Sequence, residues 1–361
     1  MKATHVILYF LVSIIISSCI RDEALNAEAD ILSCTLPKAV MTTSPIINNN
    51  SVTLFVGPET DVSALAPEFT LTPGATISPL SGTVHDFNLP QKYTVTAADG
   101  VWKKTYTVSV IDTELATNYN FEDTLGGKKY YIFVERQEDK VIMEWASGNA
   151  GYAMTGVPKT ADDYPTFQIA DGKEGKCLSL VTRSTGFFGQ LMGMPIAAGN
   201  LFIGSFDVNN AMSYPLQATK FGLPFRYVPT YLAGYYKYKA GDKFTEEGKP
   251  VDGKRDICDI YAIMYETSES VPTLDGSNAF TSPNLVSIAR IDNAKETDEW
   301  TYFKLTFITR PGQFIDKEKL RDGKYNVAIV FTSSLEGAYF NGAIGSTLLI
   351  DEVELVYHTE N

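Results

Sequence analysis

The residues best suited to chemistry are aromatic side chains that stand close to polar ones. Trp145 is followed by Ser147, Asn149 and Tyr152 in a glycine-containing segment that can leave a sheet as a loop. Tryptophan and tyrosine rings stack on the apolar C–H faces of sugars, while neighbouring polar groups bind the hydroxyls. The pattern predicts a carbohydrate-binding site, with these candidate residues: Trp145, Asn149, Tyr152, Asp207, Arg226, Tyr236 and Tyr238.

Tyr235, Tyr236 and Tyr238 form a second aromatic cluster. Alternate residues of a strand share one face, so Tyr236 and Tyr238 are expected together and Tyr235 on the opposite side with Lys237. One of these faces must belong to the core, so at most two of the three tyrosines can meet a ligand. For each candidate aromatic, packing in the core or on a sheet face is the competing interpretation.

Catalytic groups are less evident. The chain has 3 histidines. After an N-terminal leader only His85 and His358 remain, and no GxSxG, HExxH or GxGxxG motif occurs, which argues against a histidine-based hydrolase or metalloenzyme. A glycosidase needs only two carboxylates at a suitable separation. Acids are available for this role, but no spacing singles out a pair: Asp162, Asp163, Asp207, Asp259 and Glu266.

Cys19 is the predicted lipidation site. Residues 6–16 form an apolar run that is shorter than the roughly 20 residues of a transmembrane helix and typical of a signal peptide. The segment Ile16-Ser17-Ser18-Cys19 resembles a lipobox. Residues 1–18 are therefore predicted to be a signal peptide and residues 19–30 a polar tether. Asp22 and Glu23 resemble the acidic export signal of surface lipoproteins, so an outer-membrane lipoprotein facing the exterior is expected.

Composition limits the class of protein. The 361 residues suit two domains, and 44% hydrophobic residues can form sizeable cores. A net charge of −13 without a basic stripe argues against nucleic-acid binding. Cys34, Cys177 and Cys258 show no CxxC spacing, so neither zinc nor a disulfide framework is indicated. Cys177 is expected to be a small buried residue.

The elements that position these residues are predicted to be strands throughout. Residues 31–112 contain short alternating runs, and Asp99-Gly100 between two of them predicts a hairpin. This region is expected to be an immunoglobulin-like β-sandwich that acts as a spacer. Residues 115–358 contain many more alternating runs and one helical turn near residues 316–320, which predicts a jelly-roll β-sandwich.

Several motifs in the larger region occur in a recognisable order: WASGNAGY at 145–152, AAGNLFIG at 197–204, LAGYYKY at 232–238 and GSTLLIDEV at 345–353. Together they resemble the putative carbohydrate metabolism domain family of gut Bacteroidota lipoproteins. The resemblance implies an all-β fold of the carbohydrate-binding-module type, found near polysaccharide utilisation systems. It implies no known reaction, and no catalytic residue is carried over from it.

Two acids at the ends of the larger region are candidate metal ligands. Glu122 follows its first residues and Asp351 lies in its last strand. In jelly-roll carbohydrate-binding modules the first and last strands often lie side by side, and Ca²⁺ takes six to eight oxygen ligands. A structural calcium ion held by Glu122, Asp351 and backbone carbonyls is therefore expected, with solvated acids on edge strands as the alternative.

The leading functional hypothesis is a surface lipoprotein that binds a polysaccharide or oligosaccharide in support of polysaccharide utilisation. Outer-membrane glycan-uptake proteins are candidate partners, and the lipid anchor is the expected membrane contact. One alternative is a glycoside hydrolase or lyase that uses a carboxylate pair. The other is a structural or adhesive subunit, such as one associated with fimbriae.

Overall fold

The computed structural model describes residues 26–37, 40–41, 45–57, 60–111, 115–137 and 140–358. The predicted signal peptide and Cys19 lie outside these residues. None of the helices within the described ranges has the length and apolar character needed to cross a membrane. The described strands fall into two groups of sheets, and the all-β fold expected from the sequence is confirmed.

The smaller group is formed by residues 31–111. A five-stranded sheet of order β2-β3-β7-β6-β5 faces the pair β1-β4. Alternate residues such as Val52, Leu54, Tyr93 and Val95 are buried between them. The strands are β1 (Ile31–Thr35), β2 (Ile46–Ile47), β3 (Ser51–Phe55), β4 (Glu68–Leu71), β5 (Thr76–Ser78), β6 (Gln91–Thr96) and β7 (Lys103–Ile111).

The hairpin predicted at Asp99-Gly100 is confirmed. Strands β6 and β7 pair antiparallel, with Thr96 opposite Lys103. Gly100 has φ +72°, a conformation that glycine adopts without the steric cost of a Cβ atom. The turn chemistry therefore determines this pairing locally.

The larger group is a sandwich of two sheets. Its six-stranded sheet has the order β11-β12-β28-β18-β24, with β8 beside β28, and all of its pairs are antiparallel. Its strands are β8 (Asn118–Tyr119), β11 (Thr166–Ile169), β12 (Cys177–Val181), β18 (Val228–Lys239), β24 (Thr297–Thr306) and β28 (Thr347–His358).

The opposing sheet has ten strands, with β15, β26, β21 and β23 side by side at its centre. Its strands are β9 (Val134–Gln137), β10 (Lys140–Ala146), β15 (Asn200–Phe206), β16 (Thr219–Phe221), β17 (Leu223–Pro224), β21 (Asp259–Glu266), β22 (Leu274–Asp275), β23 (Leu285–Arg290), β25 (Ile308–Thr309) and β26 (Tyr325–Thr332).

Short elements complete the larger domain. Small sheets are formed by β13 (Arg183–Ser184) with β14 (Ile196–Ala197), and by β19 (Phe244–Glu246), β20 (Lys249–Pro250) and β27 (Gly342–Ala343). The helices are α1 (Asn149–Tyr152), α2 (Gly186–Leu191), α3 (Pro215–Ala218) and α4 (Lys317–Arg321). Helix α4 confirms the predicted helical turn. Asp316 caps it by accepting hydrogen bonds from the backbone N–H groups of Glu318 (2.8 Å) and Lys319 (3.0 Å). One-turn 3-10 helices of this domain span Ala153–Thr155, Ala161–Asp163, Val208–Asn210 and Gly337–Tyr339, and one further such helix, Val62–Ala64, lies in the smaller group.

The ten-stranded sheet is covered on both faces, whereas the six-stranded sheet is not. Leu201 and Ile260 face the six-stranded sheet, and their neighbours Phe202 and Tyr261 belong to a second apolar cluster on the opposite side. In the six-stranded sheet, by contrast, β24 alternates over its second half between the exposed Tyr302 and Lys304 and the buried Phe303 and Leu305. The outer face of the six-stranded sheet is therefore accessible at β18 and β24, whereas the outer face of the ten-stranded sheet is covered.

Candidate functional site

Trp145, the leading sugar-binding candidate from the sequence, lies in the core. Its ring packs against Tyr119 and Phe121, with centroids 5.0 and 5.7 Å away. Its Nε1–H donates a 2.9 Å hydrogen bond to Oε1 of the buried Glu135. The ring therefore has no free face for a sugar, and the core interpretation of Trp145 is the one that the structure supports.

Asn149 and Tyr152 are also buried, in helix α1. The Asn149 side chain donates to the carbonyl of Thr166 (2.7 Å) and accepts from the N–H of the same residue (3.1 Å). The Tyr152 hydroxyl donates to the carbonyl of Ser184 at 2.8 Å. Both side chains fasten the helix to neighbouring strands, so their polar groups are already used within the protein.

The other predicted residues are dispersed. Tyr236 and Tyr238 share one face as predicted, but it is the core face. Asp207 caps a one-turn helix, with its carboxylate accepting from the N–H of Asn209 at 3.0 Å. Arg226 is half-buried after β17. None of these residues lines the cleft on the six-stranded sheet.

The accessible side of the six-stranded sheet, called the open face below, carries a different set of aromatic residues. On β18 and β24, Tyr235 lies directly opposite Tyr302. Their ring centroids are 5.4 Å apart and their planes are inclined by 59°. Tyr302 is 54% exposed, and Trp300 and Tyr231 are partly exposed on the same strands. This face therefore presents aromatic rings in a row across two strands.

Lysines lie over the rings of the open face. The ammonium groups of three lysines are within 4.0 to 5.0 Å of an aromatic centroid: Lys304 over Tyr231, Lys173 over Tyr235 and Lys237 over Trp300. Such cation–π contacts orient the rings while the ammonium groups keep hydrogen-bond donors at the surface. The face thus combines apolar stacking surfaces with polar donors, which is the composition expected of a sugar-binding surface.

A cleft of about 350 Å³ opens beside Tyr235 and Tyr302. Its floor is formed by Ala233, whose methyl group leaves space above the sheet, and by the backbone of Gly234. The register of β18 against β28 shifts between Ala233 and Tyr235, and Glu352 in the facing strand has φ +49°. This bulge turns β28 away from regular pairing, which is how a flat sheet acquires a depression.

Polar residues complete the walls of the cleft. They come from three separate segments: Asn118 and Asn120 at β8, Lys173 in the loop before β12, and Glu352 and Glu354 on β28. Burial and the neighbouring Glu174 raise the pKa of Glu352 above its ordinary value. Amide, carboxylate and ammonium groups therefore surround one pair of tyrosines. Together they can accept hydrogen bonds from sugar hydroxyls and donate hydrogen bonds to them.

The sequence contained part of this signal. The alternation in β18 predicts that Tyr235 and Tyr236 point to opposite faces of the sheet. The alternation in β24 places Tyr302 and Lys304 on the face opposite to the buried Phe303 and Leu305. It could not indicate Asn118, Lys173 or Glu354, because these residues reach the cleft from distant parts of the chain. They had not been predicted as site residues.

The two candidate calcium ligands meet the same loop, residues 171–176. The Asp351 carboxylate accepts hydrogen bonds from the backbone N–H groups of Lys173 (2.7 Å) and Glu174 (3.2 Å). The Glu122 carboxylate accepts one from the backbone N–H of Lys176 (2.6 Å). Burial raises the pKa of Asp351 to about 6.

Nearby carbonyl oxygens are also engaged. The Gln168 side-chain amide donates to the carbonyls of Phe121 (2.7 Å) and Glu122 (2.9 Å). No cluster of three or more potential metal ligands occurs among the described residues. Backbone N–H groups thus engage both oxygens of Asp351 and one oxygen of Glu122, and a calcium ion at this pair stays a prediction.

Comparisons with known proteins agree with the family resemblance of the sequence motifs. Residues 120–356 match the model of the family described as putative carbohydrate metabolism domain, and residues 31–110 match the domain described as SGBP, N-terminal. A search of the curated proteins found no match.

Two solved structures are similar over most of their length. A protein from Bacteroides thetaiotaomicron VPI-5482, described as a putative glycoside hydrolase, is 84% identical; the match covers 94% of this chain and 100% of that one, with a TM-score of 0.90. One from Bacteroides vulgatus ATCC 8482, described in the same words, is 47% identical, with coverages of 68% and 99% and a TM-score of 0.64. The resemblance seen in the sequence motifs is confirmed: the chain belongs to the putative carbohydrate metabolism domain family, and the region before that domain is similar to the SGBP N-terminal domain.

Proposed function

We propose that this protein binds glycan chains at the cell surface through the cleft on the open face. The observation that carries the proposal is the exposed Tyr302 beside Tyr235, above a depression lined by amide, carboxylate and ammonium groups. The volume of about 350 Å³ lies within the range of small-ligand pockets, so it suits a short stretch of sugar residues.

The chemistry of the cleft favours an uncharged glycan. Lys173 and the two glutamates bring opposite charges to the same walls. The net charge of −13 would repel a polyanion at long range. Stacking on tyrosine and hydrogen bonds to hydroxyls require no charge on the ligand. Neutral polysaccharides are accordingly the first ligands to test.

The test is an affinity gel and a calorimetric titration with neutral polysaccharides, comparing Tyr302→Ala with Tyr339→Ala. Tyr339 is 65% exposed in the same domain but does not line the cleft, which makes it a matched control. Tyr302→Ala should weaken binding at least about tenfold, since one stacking contact contributes on the order of 1.4 kcal/mol or more. Equal binding by both variants would show that the glycan binds elsewhere on the protein.

The proposal includes attachment through lipid on Cys19 and exposure on the outer membrane. It rests on the lipobox-like sequence and on the match to the SGBP domain. Incorporation of labelled palmitate that is lost in Cys19→Ala tests the anchor, and protease treatment of intact cells tests exposure. Co-purification with outer-membrane glycan-uptake proteins tests the proposed partners, and a fixed partner without any glycan binding would favour the structural subunit.

Hydrolysis of a glycosidic bond is the second candidate function, since Glu352 and Glu354 lie in the same cleft and the pKa of Glu352 is raised. Glycoside hydrolysis uses two carboxyl groups, and the one that acts as the general acid needs a raised pKa. Release of reducing ends from a polysaccharide that binds, abolished by Glu352→Gln while binding persists, would establish hydrolysis. Binding without release by the unaltered protein would leave binding as the function.

A further inference from the structure

The tip of the β6–β7 hairpin exposes two apolar side chains. Val101 is 75% exposed and Trp102 is 63% exposed. The tip is ordered by its own hydrogen bonds, because the Asp99 carboxylate accepts the N–H groups of Val101 (2.8 Å) and Trp102 (3.2 Å). The N–H of Ala97 donates to the carbonyl of Trp102 at 2.9 Å and closes the turn. A rigid tip loses little conformational entropy when a surface covers it.

The N-terminal end of the described chain lies at this tip. The backbone N–H of Asp99 donates to the carbonyl of Asn26 at 3.3 Å. Residues 20–25 separate Asn26 from Cys19, and a fully extended chain of that length spans at most about 25 Å. A lipid on Cys19 therefore keeps the tip within this distance of the membrane surface, so the inference rests on the proposed lipid anchor.

The opposite end of the hairpin leads to the glycan-binding domain. Strand β7 has 9 residues and runs away from the tip to Ile111, a length of about 30 Å. At that end Phe55 belongs to the core cluster of the larger domain, and Ile111 packs against it. The tip and the larger domain are thus at the two ends of the smaller domain.

We propose that Val101 and Trp102 insert into the headgroup region of the membrane that holds the lipid anchor. Tryptophan favours this region because its ring is largely apolar and its N–H still finds a polar partner. The exposed Lys103 beside it suits anionic headgroups. Lipid on Cys19 supplies the attachment, and the tip fixes the smaller domain upright, so that the larger domain stands away from the bilayer.

The test uses the full lipidated chain in vesicles of phosphatidylethanolamine and phosphatidylglycerol. Val101→Cys carries an environment-sensitive nitrobenzoxadiazole label, which reaches this position selectively since Cys34, Cys177 and Cys258 are buried. Leu89→Cys is the matched control, because Leu89 is 73% exposed and lies just before β6, beyond the end opposite the tip. Brominated lipids should quench the label at 101 at least twofold and leave the label at 89 unchanged.

The outcomes separate the tip from the anchor. A protein that does not bind vesicles and carries no covalent lipid would contradict both the lipid anchor on Cys19 and the insertion of the hairpin tip. A chain that is bound, with a label at 101 that is no more quenched than the one at 89, overturns the inference and leaves the anchor intact. A blue shift at 101 in detergent-free solution without vesicles, growing with protein concentration, would show that a second copy covers the tip instead.

Discussion

Replacing Glu135 with Gln should stabilise the protein at pH 8 and leave its stability nearly unchanged at pH 4.5. Glu135 is buried, and burial raises the pKa of its carboxyl group from 4.5 to about 7, with the nearby charge of Asp123 acting in the same direction. The hydrogen bond from Trp145 Nε1–H opposes this shift only in part. Gln keeps an oxygen that can accept this hydrogen bond and removes the ionisation.

The sign follows from which state holds the proton. Between pH 4.5 and about 7 the folded protein retains a proton on Glu135 that the unfolded chain has released. Stability therefore falls as the pH rises through this window, and the loss is complete above the folded pKa. At 1.36 kcal/mol for each unit, the shift corresponds to about 3 kcal/mol at pH 8 and to only a few tenths at pH 4.5.

The measurement is urea unfolding followed by tryptophan fluorescence and circular dichroism at both pH values. The difference between Glu135→Gln and the unaltered protein isolates this carboxyl group, because Asp351, whose pKa is also raised, is present in both. Glu299→Gln removes one charge from an exposed position and serves as the control. A stability difference that is the same at pH 4.5 and pH 8 would refute the reasoning.

Three further predictions concern the site and the core. Tyr302→Ala should weaken glycan binding at least about tenfold with an unchanged melting temperature, whereas Tyr339→Ala should alter neither; titration and calorimetry check this. Trp145→Ala should destabilise the protein by about 3 to 5 kcal/mol, because it empties part of the core, and urea unfolding measures it. The calcium prediction for Glu122 and Asp351 implies that a chelator lowers the melting temperature; an unchanged value would leave the hydrogen-bonded loop as the sole link between them.

The case of Trp145 shows where a local sequence pattern is insufficient. Its polar neighbours suggested an exposed loop, but Trp145 still belongs to β10 and lies opposite Ile203. The loop begins only after Ala146. Alternation states which residues share a face, and it does not state which face the second sheet covers. Tyr236 and Tyr238 were grouped correctly and assigned to the wrong side for the same reason.

The sequence by itself determined features that depend on short-range chemistry. The Asp99-Gly100 turn, the capped helix after Asp316 and the alternation of β18 and β24 are each set by neighbouring residues. The order of motifs was enough to identify the family. These features need no knowledge of how the sheets pack.

Only the tertiary structure decided where the cleft lies. Its floor at Ala233 and Gly234 becomes a depression because β28 shifts register there, and its walls come from β8, the loop at Lys173, β24 and β28. The same holds for the hairpin tip, because Asn26 lies beside Asp99 only in the folded chain. Such proximity depends on pairing between segments far apart in the chain, and no local pattern encodes which distant strands will meet.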